Sequence, residues 1–526
     1  MSLTAGFRTT VIRMRRSCGR RATRPYARGP AAGNAAVATA FRSSPRNTRA
    51  TGGVDGCREG PVSWNADTAG GLRNAWAILL GEKERAGAAA AISNFPNGPD
   101  FPHGSNFPHG PDFPHGSRER RHVTGVGISP GEAAMVGDPT RLRLKYGLNP
   151  QQRTAVAEPS DGGPLPLSVL SGTPSVVNLL DALQGWQLVR EASRALGLPA
   201  AASMKHVSPA GVAVAGEVDP VARATFRLGA QPSGPASAYA RARDCDPRSS
   251  YGDLVALSHP VDRDTASLLA RVVSDGVIAP DFEPGVLEVL ARKKRGTFLV
   301  LRVDPAYEPP ARQVRDVFGV RITQDADPLV IGPGTLAEGT EGGPPPTVRQ
   351  LRDAVLGLIT VRYTQSNSVA CVHDGRTIGI GAGQQSRVDC VRLAGEKADR
   401  WRLRRHPLLA RARFPGTLSI QDRVNSVLRL IEGEPGTLSD ACRPDPGPPG
   451  TPLDPAEKAA WLAGHTPCTL VSDAYLPFRD NVDVAAAHGV RCIVEGGGSA
   501  RGREVAAACE EHSITLVRTG LRLFCH

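Results

Sequence analysis

Between Pro164 and His206 the chain reads PLPLSVLSG, then SVVNLLDALQGWQLVREASRALG, then LPAAASMKH. The middle segment carries apolar residues at Val176, Leu179, Leu180, Leu183 and Trp186, which is the spacing of one helical face, and Gly197 and Pro199 terminate it. The flanking segments are short and apolar, as strands are. A strand, a helix and a strand within about 40 residues form a βαβ unit, which places the chain in the α/β class and predicts a parallel sheet.

The same grammar returns at the C-terminus. VRCIVE (490–495) reads as a strand, GGGS (496–499) as a tight turn, ARGREVAAACEEH (500–512) as a helix weakened by Gly502, and SITLVR (513–518) as a strand. Two α/β halves are therefore expected, spanning 141–335 and 345–526, on either side of the Pro- and Gly-rich stretch 332–346. CRPDPGPPGTPLDP (442–455) reads as a surface loop.

The first 93 residues do not follow this grammar. Residues 1–50 contain 11 arginines, no lysine and no acid. That bias is shared by mitochondrial presequences, by disordered leaders and by arginine-rich translation upstream of a true start. Over residues 1–130 there are 18 Arg or Lys against 8 Asp or Glu, an excess of ten out of the net +12, so the pI near 9.5 describes the leader and not the body. A nucleic-acid partner is accordingly not expected of the body. From Asn94 to Ser117 run four hexads, NFPNGP DFPHGS NFPHGP DFPHGS, whose prolines and glycines block helix and ladder alike. This linker carries His103, His109 and His115, a loose chelating series or simply low complexity. The ten cysteines lack a C-x-x-C pair and fit reduced thiols. The longest apolar patches, such as AWAILL (75–80), fall far short of the roughly 20 residues of a membrane span.

Five short stretches could carry chemistry. SMKHVSPAG (203–211) sets Lys205 and His206 where a strand ends, and both face one site only if Ser208, Pro209 and Gly211 turn the backbone there. YTQSNSVA (363–370) is a run of amides and hydroxyls. IGIGAGQQSR (378–387) places Gly379, Gly381 and Gly383 before Arg387, suited to close backbone approach to a phosphate or planar ligand but not in dinucleotide-fingerprint order. SDAYLPFRDN (472–481) holds Asp473, Arg479 and Asp480, and LRLFCH (521–526) pairs Arg522 with the terminal carboxylate. By spacing alone, a solvated Lys beside a structural His is the better account of the first of these.

Taken in order, LKYGLNPQQ, SGTPSVVNLLDALQGWQLV, AAASMKHVSPAG, AYARARD, SSYGDLVALS, SDGVIAP, YTQSNSV, GIGAGQQSRVDC, SDAYLPFRDNVD and LRLFCH resemble the transformylase portion of the AICAR transformylase/IMP cyclohydrolase family. The resemblance covers residues 141–526. It implies two related subdomains with a cytidine-deaminase-like three-layer fold, in a homodimer with shared active sites and no zinc. The implied reaction passes a formyl group from 10-formyltetrahydrofolate to the 5-amino group of AICAR, giving FAICAR. By resemblance, Lys205, His206 and Asn367 are catalytic, with His206 a base for a poorly nucleophilic amine and Lys205 a cation for the oxyanion and the departing folate nitrogen. Lys145, Tyr146, Gly252, Asp275, Arg387, Tyr475 and Arg522 would hold AICAR, and Val388, Asp480, Asn481, Ser499 and Ala500 the folate. A structural potassium ion would lie near Thr364, Asp473 and the His526 carboxylate.

This sequence departs from the family at several points. Lys145 stands where the family has Arg, which reduces a two-pronged phosphate grip to a point charge. Gln151 replaces a His, Tyr475 a Phe, and EGGGSAR a P-S-G-S-A-A turn. No counterpart of the cyclohydrolase domain is recognisable in residues 1–140, so closure of FAICAR to IMP is not expected. The family places the protein in the cytosol, with mitochondria the alternative if the leader is a presequence. A drifted homologue acting as a scaffold whose leader contacts nucleic acid is the competing reading, and a changed acyl donor or nucleotide a third.

Overall fold

A computed structural model describes residues 140–526, apart from 337–338, 342, 411–413, 434–452 and 465–466. The basic leader 1–93, the hexads 94–117 and all but the end of the 442–455 loop lie outside the described residues.

A short ladder of β1 (Leu142–Arg143) and β2 (Val156–Ala157) precedes the first sheet. Then follow β3 (Leu167–Ser171), α1 (Val176–Leu196), β4 (Ala200–Lys205), β5 (Ser208–Val214), α2 (Pro220–Phe226), α3 (Gly234–Cys245), β6 (Asp253–Leu257), α4 (Arg263–Arg271), β7 (Ser274–Ala279), α5 (Val286–Ala291) and β8 (Leu299–Val303). A separate hairpin, β9 (Arg312–Val317) and β10 (Val320–Asp325), comes next. The second sheet is built from β11 (Thr340–Glu341), α6 (Val348–Arg362), β12 (Val369–Val372), β13 (Thr377–Gly381), α7 (Arg387–Leu403), α8 (Pro407–Ala410), α9 (Ile420–Glu432), α10 (Pro455–Ala463), β14 (Cys468–Ser472), α11 (Asp480–Ala487), β15 (Val490–Glu495), α12 (Gly502–Glu511) and β16 (Thr515–Arg518).

The two sheets repeat one topology. Their strand orders, β3-β8-β7-β6-β4-β5 and β11-β16-β15-β14-β12-β13, match position for position, and so do their directions: antiparallel, two parallel pairs, then two antiparallel pairs. Each sheet is therefore mixed, which corrects the parallel sheet expected from β3, α1 and β4. Those two strands do run the same way, but three others lie between them, and the antiparallel β4–β5 hairpin needs only a two-residue link. The Pro- and Gly-rich stretch 332–346 is not a bare linker either, since it contributes the edge strand β11.

α1 begins with a capping box between Ser175 and Asn178 and ends at Gly197, whose φ of 67° supplies the left-handed cap that the sequence predicts. Of the expected apolar stripe, Leu179 and Trp186 are buried, whereas Leu180 is 42% exposed. α1 and α6 pack together between the sheets, and the largest core cluster joins Met204, Leu254 and Ile278 of one sheet to Val372, Val471 and Val494 of the other. The alternate residues Ala201, Val255 and Val277 face outward to α3, α4 and α5, and Val369, Leu470 and Ile493 face α7, α11 and α12. Each fully buried Val, Leu or Ile here contributes roughly 1.5–3 kcal/mol. The close approach depends on glycine at one equivalent place in each helix. A Cβ on Gly185 would collide with Met204 and Ala256, and one on Gly357 with Val471. Each glycine is the tenth residue of its helix.

The sheets meet along β5 and β13, which run antiparallel, with Ala213 bridged to Arg376 and the Thr377 hydroxyl accepting from the Val212 amide (2.9 Å). Charged pairs tie this joint. Across it Asp219 binds Arg376 (3.1 Å) and Arg405 (2.6 Å), and Asp374 binds Arg241, while Arg352 of α6, in the same repeat as Asp374, braces that carboxylate (2.6 Å). Because the joint is antiparallel, the start of β5 lies beside the end of β13. That brings opposite ends of the two repeats to one side of the molecule.

Candidate active site

On that side, Lys205 pairs with Ser208 across the β4–β5 hairpin and only His206 and Val207 lie between them. Both have positive φ, 55° and 58°, as a type I′ turn requires. Such turns ordinarily use Asn-Gly, and a left-handed β-branched valine costs about 1–3 kcal/mol, a strain that clusters at functional positions. The turn is thus His206–Val207 itself and not Ser208, Pro209 and Gly211, which belong to β5. Gly211 instead makes room for the backbone of α3, whose Ala242 carbonyl a Cβ would strike.

Lys205 Nζ donates to the carbonyl oxygens of Tyr251 and Gly252, each at 3.0 Å, and His206 is exposed. Gly252 has φ 71°, and a Cβ there would lie 3.3 Å from Nζ, so only glycine meets both conditions comfortably. Asp275 lies beside Gly252 and pairs with Lys294 at 2.5 Å. Asp181, buried in α1, accepts the Val207 amide at 2.6 Å. Burial pushes its carboxyl above the usual carboxylate range, opposed by that amide and by the charges of His206 and Lys205. Lys145 is exposed, with its ammonium 5.7 Å from the Tyr146 ring, and its backbone docks on Pro174 just before α1.

A second group forms where β12 begins and β13 and β14 end. Asn367 follows a cis peptide bond with Ser366; its amide donates to the carbonyls of Gln384 (2.9 Å) and Gln385 (3.1 Å), and its Oδ1 accepts from Arg387 (2.7 Å). Arg387 also binds the fully buried carboxylate of Asp473, which accepts further from Ser366 Oγ (2.6 Å) and the Ser368 amide (2.9 Å). Val388 is half-buried at the start of α7. Gly379 and Gly381 serve the packing of α7 rather than a ligand, because Cβ atoms there would collide with the Ala394 and Cys390 carbonyls.

The remaining expected residues cluster near the end of the chain. Tyr475 is 47% exposed, Asp480 is exposed, and Asn481 is fully buried with its amide donated to Asp480 (2.7 Å) and the Phe478 carbonyl (3.0 Å). Gly496 packs against the Leu521 carbonyl, the half-buried Ser499 donates to the Pro477 carbonyl at 3.5 Å, and Ala500 is exposed. Arg522 stacks 5.2 Å from the Phe524 ring. Thr364 is buried and donates to the Thr360 carbonyl (2.6 Å), while the His526 carbonyl accepts from Arg315 (3.1 Å).

One direct bond joins the first two groups, from the Gln365 amide to Ser208 Oγ at 3.2 Å. Asp181 and Lys294 were not foreseen, and Gln365 was foreseen only as part of YTQSNSVA. A lone acid inside an apolar helix and a lysine in a basic run carry no sequence signal for contacts that only folding creates. The β9–β10 hairpin was also missed, although VFGV sets a Phe-Gly pair, both with positive φ, between two valines that pair across the turn. Among the described residues, no group of three or more His, Cys, Asp or Glu is placed to hold a metal ion, and no helix is long and apolar enough to cross a membrane.

The class that fold and site define is a duplicated α/β chain with a Lys-His pair on a strained turn and a half-buried Asn367 joined to the buried Arg387 and Asp473. Its lineage is specific. The family model described as AICARFT/IMPCHase bienzyme matches residues 128–397, and the chain belongs to that family. It is 31% identical over 393 residues to the bifunctional purine biosynthesis protein PurH of Rhodospirillum rubrum, covering 73% of this chain and 60% of the relative. The PurH proteins of Magnetococcus marinus (31% over 389 residues, 73% and 59%) and Parasynechococcus marenigrum (30% over 392 residues, 74% and 60%) are similar to the same extent. The chain thus spans about 60% of the length of these relatives.

Proposed function

We propose that this chain acts in purine biosynthesis by transferring the formyl group of 10-formyltetrahydrofolate to the 5-amino group of AICAR, releasing FAICAR and tetrahydrofolate. The observation that carries the reading is the Lys205–His206 pair on its left-handed turn, with the Tyr251 and Gly252 carbonyls against the lysine, in a chain of this family. The AICAR amine is a poor nucleophile because its lone pair is delocalised into the ring and carboxamide. His206, the exposed member of the pair, takes its proton as it attacks the formyl carbon. Lys205 stabilises the oxyanion and protonates the departing folate nitrogen. Asn367, held by Arg387 and two backbone carbonyls, orients the formyl group or the carboxamide.

The working unit in this proposal is a cytosolic homodimer of two cytidine-deaminase-like repeats per chain, and the repeated topology supports the latter. Two features support the dimer. Residues Arg312–Val317 and Val320–Asp325 are exposed throughout, with Phe318 fully exposed at the tip, and an isolated two-stranded hairpin is marginal in water. The Lys205 and Asn367 groups also meet through Gln365 and Ser208 rather than through their own side chains. In a dimer, one protomer's Lys205 and His206 would complete a site with its partner's Asn367 group. Potassium at Thr364, Asp473 and the His526 carboxylate fits less well. Asp473 already carries the Arg387 guanidinium, whereas the Thr364 hydroxyl, donating to Thr360, keeps its lone pairs for a cation, and no step is routed through the ion.

The test is formation of tetrahydrofolate from AICAR and 10-formyltetrahydrofolate, followed by absorbance. Wild type is expected to be active, with Lys205→Ala and His206→Ala each slower by about 100- to 1000-fold. Equal rates in all three would end the proposal.

A further inference from the structure

Asp181 lies in the second turn of α1, only 6% exposed, at none of the substrate-facing positions assigned above. Its Oδ1 accepts the amide of Val207, the second residue of the turn, at 2.6 Å. A turn made of His and Val has no intrinsic reason to stay left-handed, because each side chain presses on its own backbone there. Something outside the hairpin has to over-determine it. A hydrogen bond to a charged acceptor contributes about 1.5–3 kcal/mol, the same size as the strain of about 1–3 kcal/mol. The next residue, Ser208, accepts from the Gln365 amide, so a second contact from outside the hairpin fixes the same end of the turn.

We propose that Asp181 is the positioning residue of this site: it locks the His206–Val207 turn in its left-handed form and so aims Lys205 and His206 at the substrate. The proposal rests on the transformylase reading of that pair. The groups facing the carboxylate are Lys205 and His206 from β4 and its turn, and Asp275 from β7. The first two sustain its ionised form and the third opposes it. The action is through the acceptor oxygen rather than through charge alone. Asn at this position keeps an oxygen where Val207 needs it, and Ala removes it.

The experiment uses the full chain and two readouts. Amide hydrogen exchange at Val207 is expected to quicken about 10- to 100-fold in Asp181→Ala, the loss of one charge-assisted bond, and to stay within about threefold of wild type in Asp181→Asn. In formyl transfer, Asp181→Ala is expected to lower kcat by a similar factor with KM for AICAR changed less than about threefold, and Asn to restore most of kcat. Unchanged Val207 exchange in Ala, or Asn as damaging as Ala, would overturn the proposal. Should Ala fail to fold, Asp181→Leu, which fills the space without an acceptor, reads the same quantities. Should the wild type not transfer formyl groups, the transformylase reading falls, while Val207 exchange still decides whether Asp181 holds the turn.

Discussion

The two repeats use the same hairpin for opposite purposes. In the first, the β4–β5 turn is two residues long, strained, and presents the exposed His206. In the second, the β12–β13 turn runs through His373, Asp374, Gly375 and Arg376, and its charges are spent on the joint with the first repeat, through Arg241 and Asp219, with Arg352 of its own repeat bracing Asp374. The functional groups divide accordingly. The first sheet gathers Lys205, Gly252 and Asp275 where the parallel strands β6 and β7 begin, and the second gathers Asn367, Arg387 and Asp473 where β13 and β14 end. Duplication thus conserves a scaffold, not a site position. The antiparallel joint lets the two unlike ends share one side of the molecule.

The sharpest way to break this division is at Arg387. Asp473 has no exposed surface, so Arg387→Ala strands a buried carboxylate, and stability is expected to fall by about 3–5 kcal/mol in denaturant titration. Lys205→Ala, whose ammonium is at the rim, is expected to lose rate with far less loss of stability. If the two groups work across a dimer, mixing Lys205→Ala with Asn367→Ala protomers is expected to recover about a quarter of wild-type activity, because half of the dimers are mixed and each has one intact site. Recovery of nothing would place both groups in one chain's site.

Equivalence of the scaffolds is tested at the paired glycines. Gly185→Ala and Gly357→Ala are each expected to cost about 1–3 kcal/mol by overpacking, despite the better helix propensity of alanine. A stabilising change at either would break the symmetry. The smallest expected effect concerns pH. Burial opposes ionisation of Asp219, but Arg405 and Arg376 prevail and hold its carboxyl below the ordinary value. Its stabilisation is therefore fully present above about pH 4 and is lost as pH falls below that, so Tm should drop more steeply in acid for wild type than for Asp219→Asn.

The legible part of this protein was its local grammar. The apolar period of Val176, Leu179 and Trp186, the stop at Gly197, and the strand, turn, helix and strand from Val490 to Arg518 follow from side-chain spacing and backbone preference, which act over a few residues. The choice of Lys205, His206 and Asn367 came from ten short motifs held in order. Other features were decided by distance in space. Leu180 points outward, the sheets are mixed rather than parallel, and Gly379 and Gly381 accommodate a helix and not a ligand.

By itself, then, the sequence determined an α/β chain, its main elements and the residue types of its chemistry, because periodicity and turn preference are written locally. Tertiary structure alone decided that His206 and Val207 form the turn, that Asp181 and Gln365 hold it from 26 and 157 residues away, and that two copies of one topology meet edge to edge. The physical reason is that a hydrogen bond or a sheet joint depends on where two surfaces arrive, and no local preference encodes the arrival of the other.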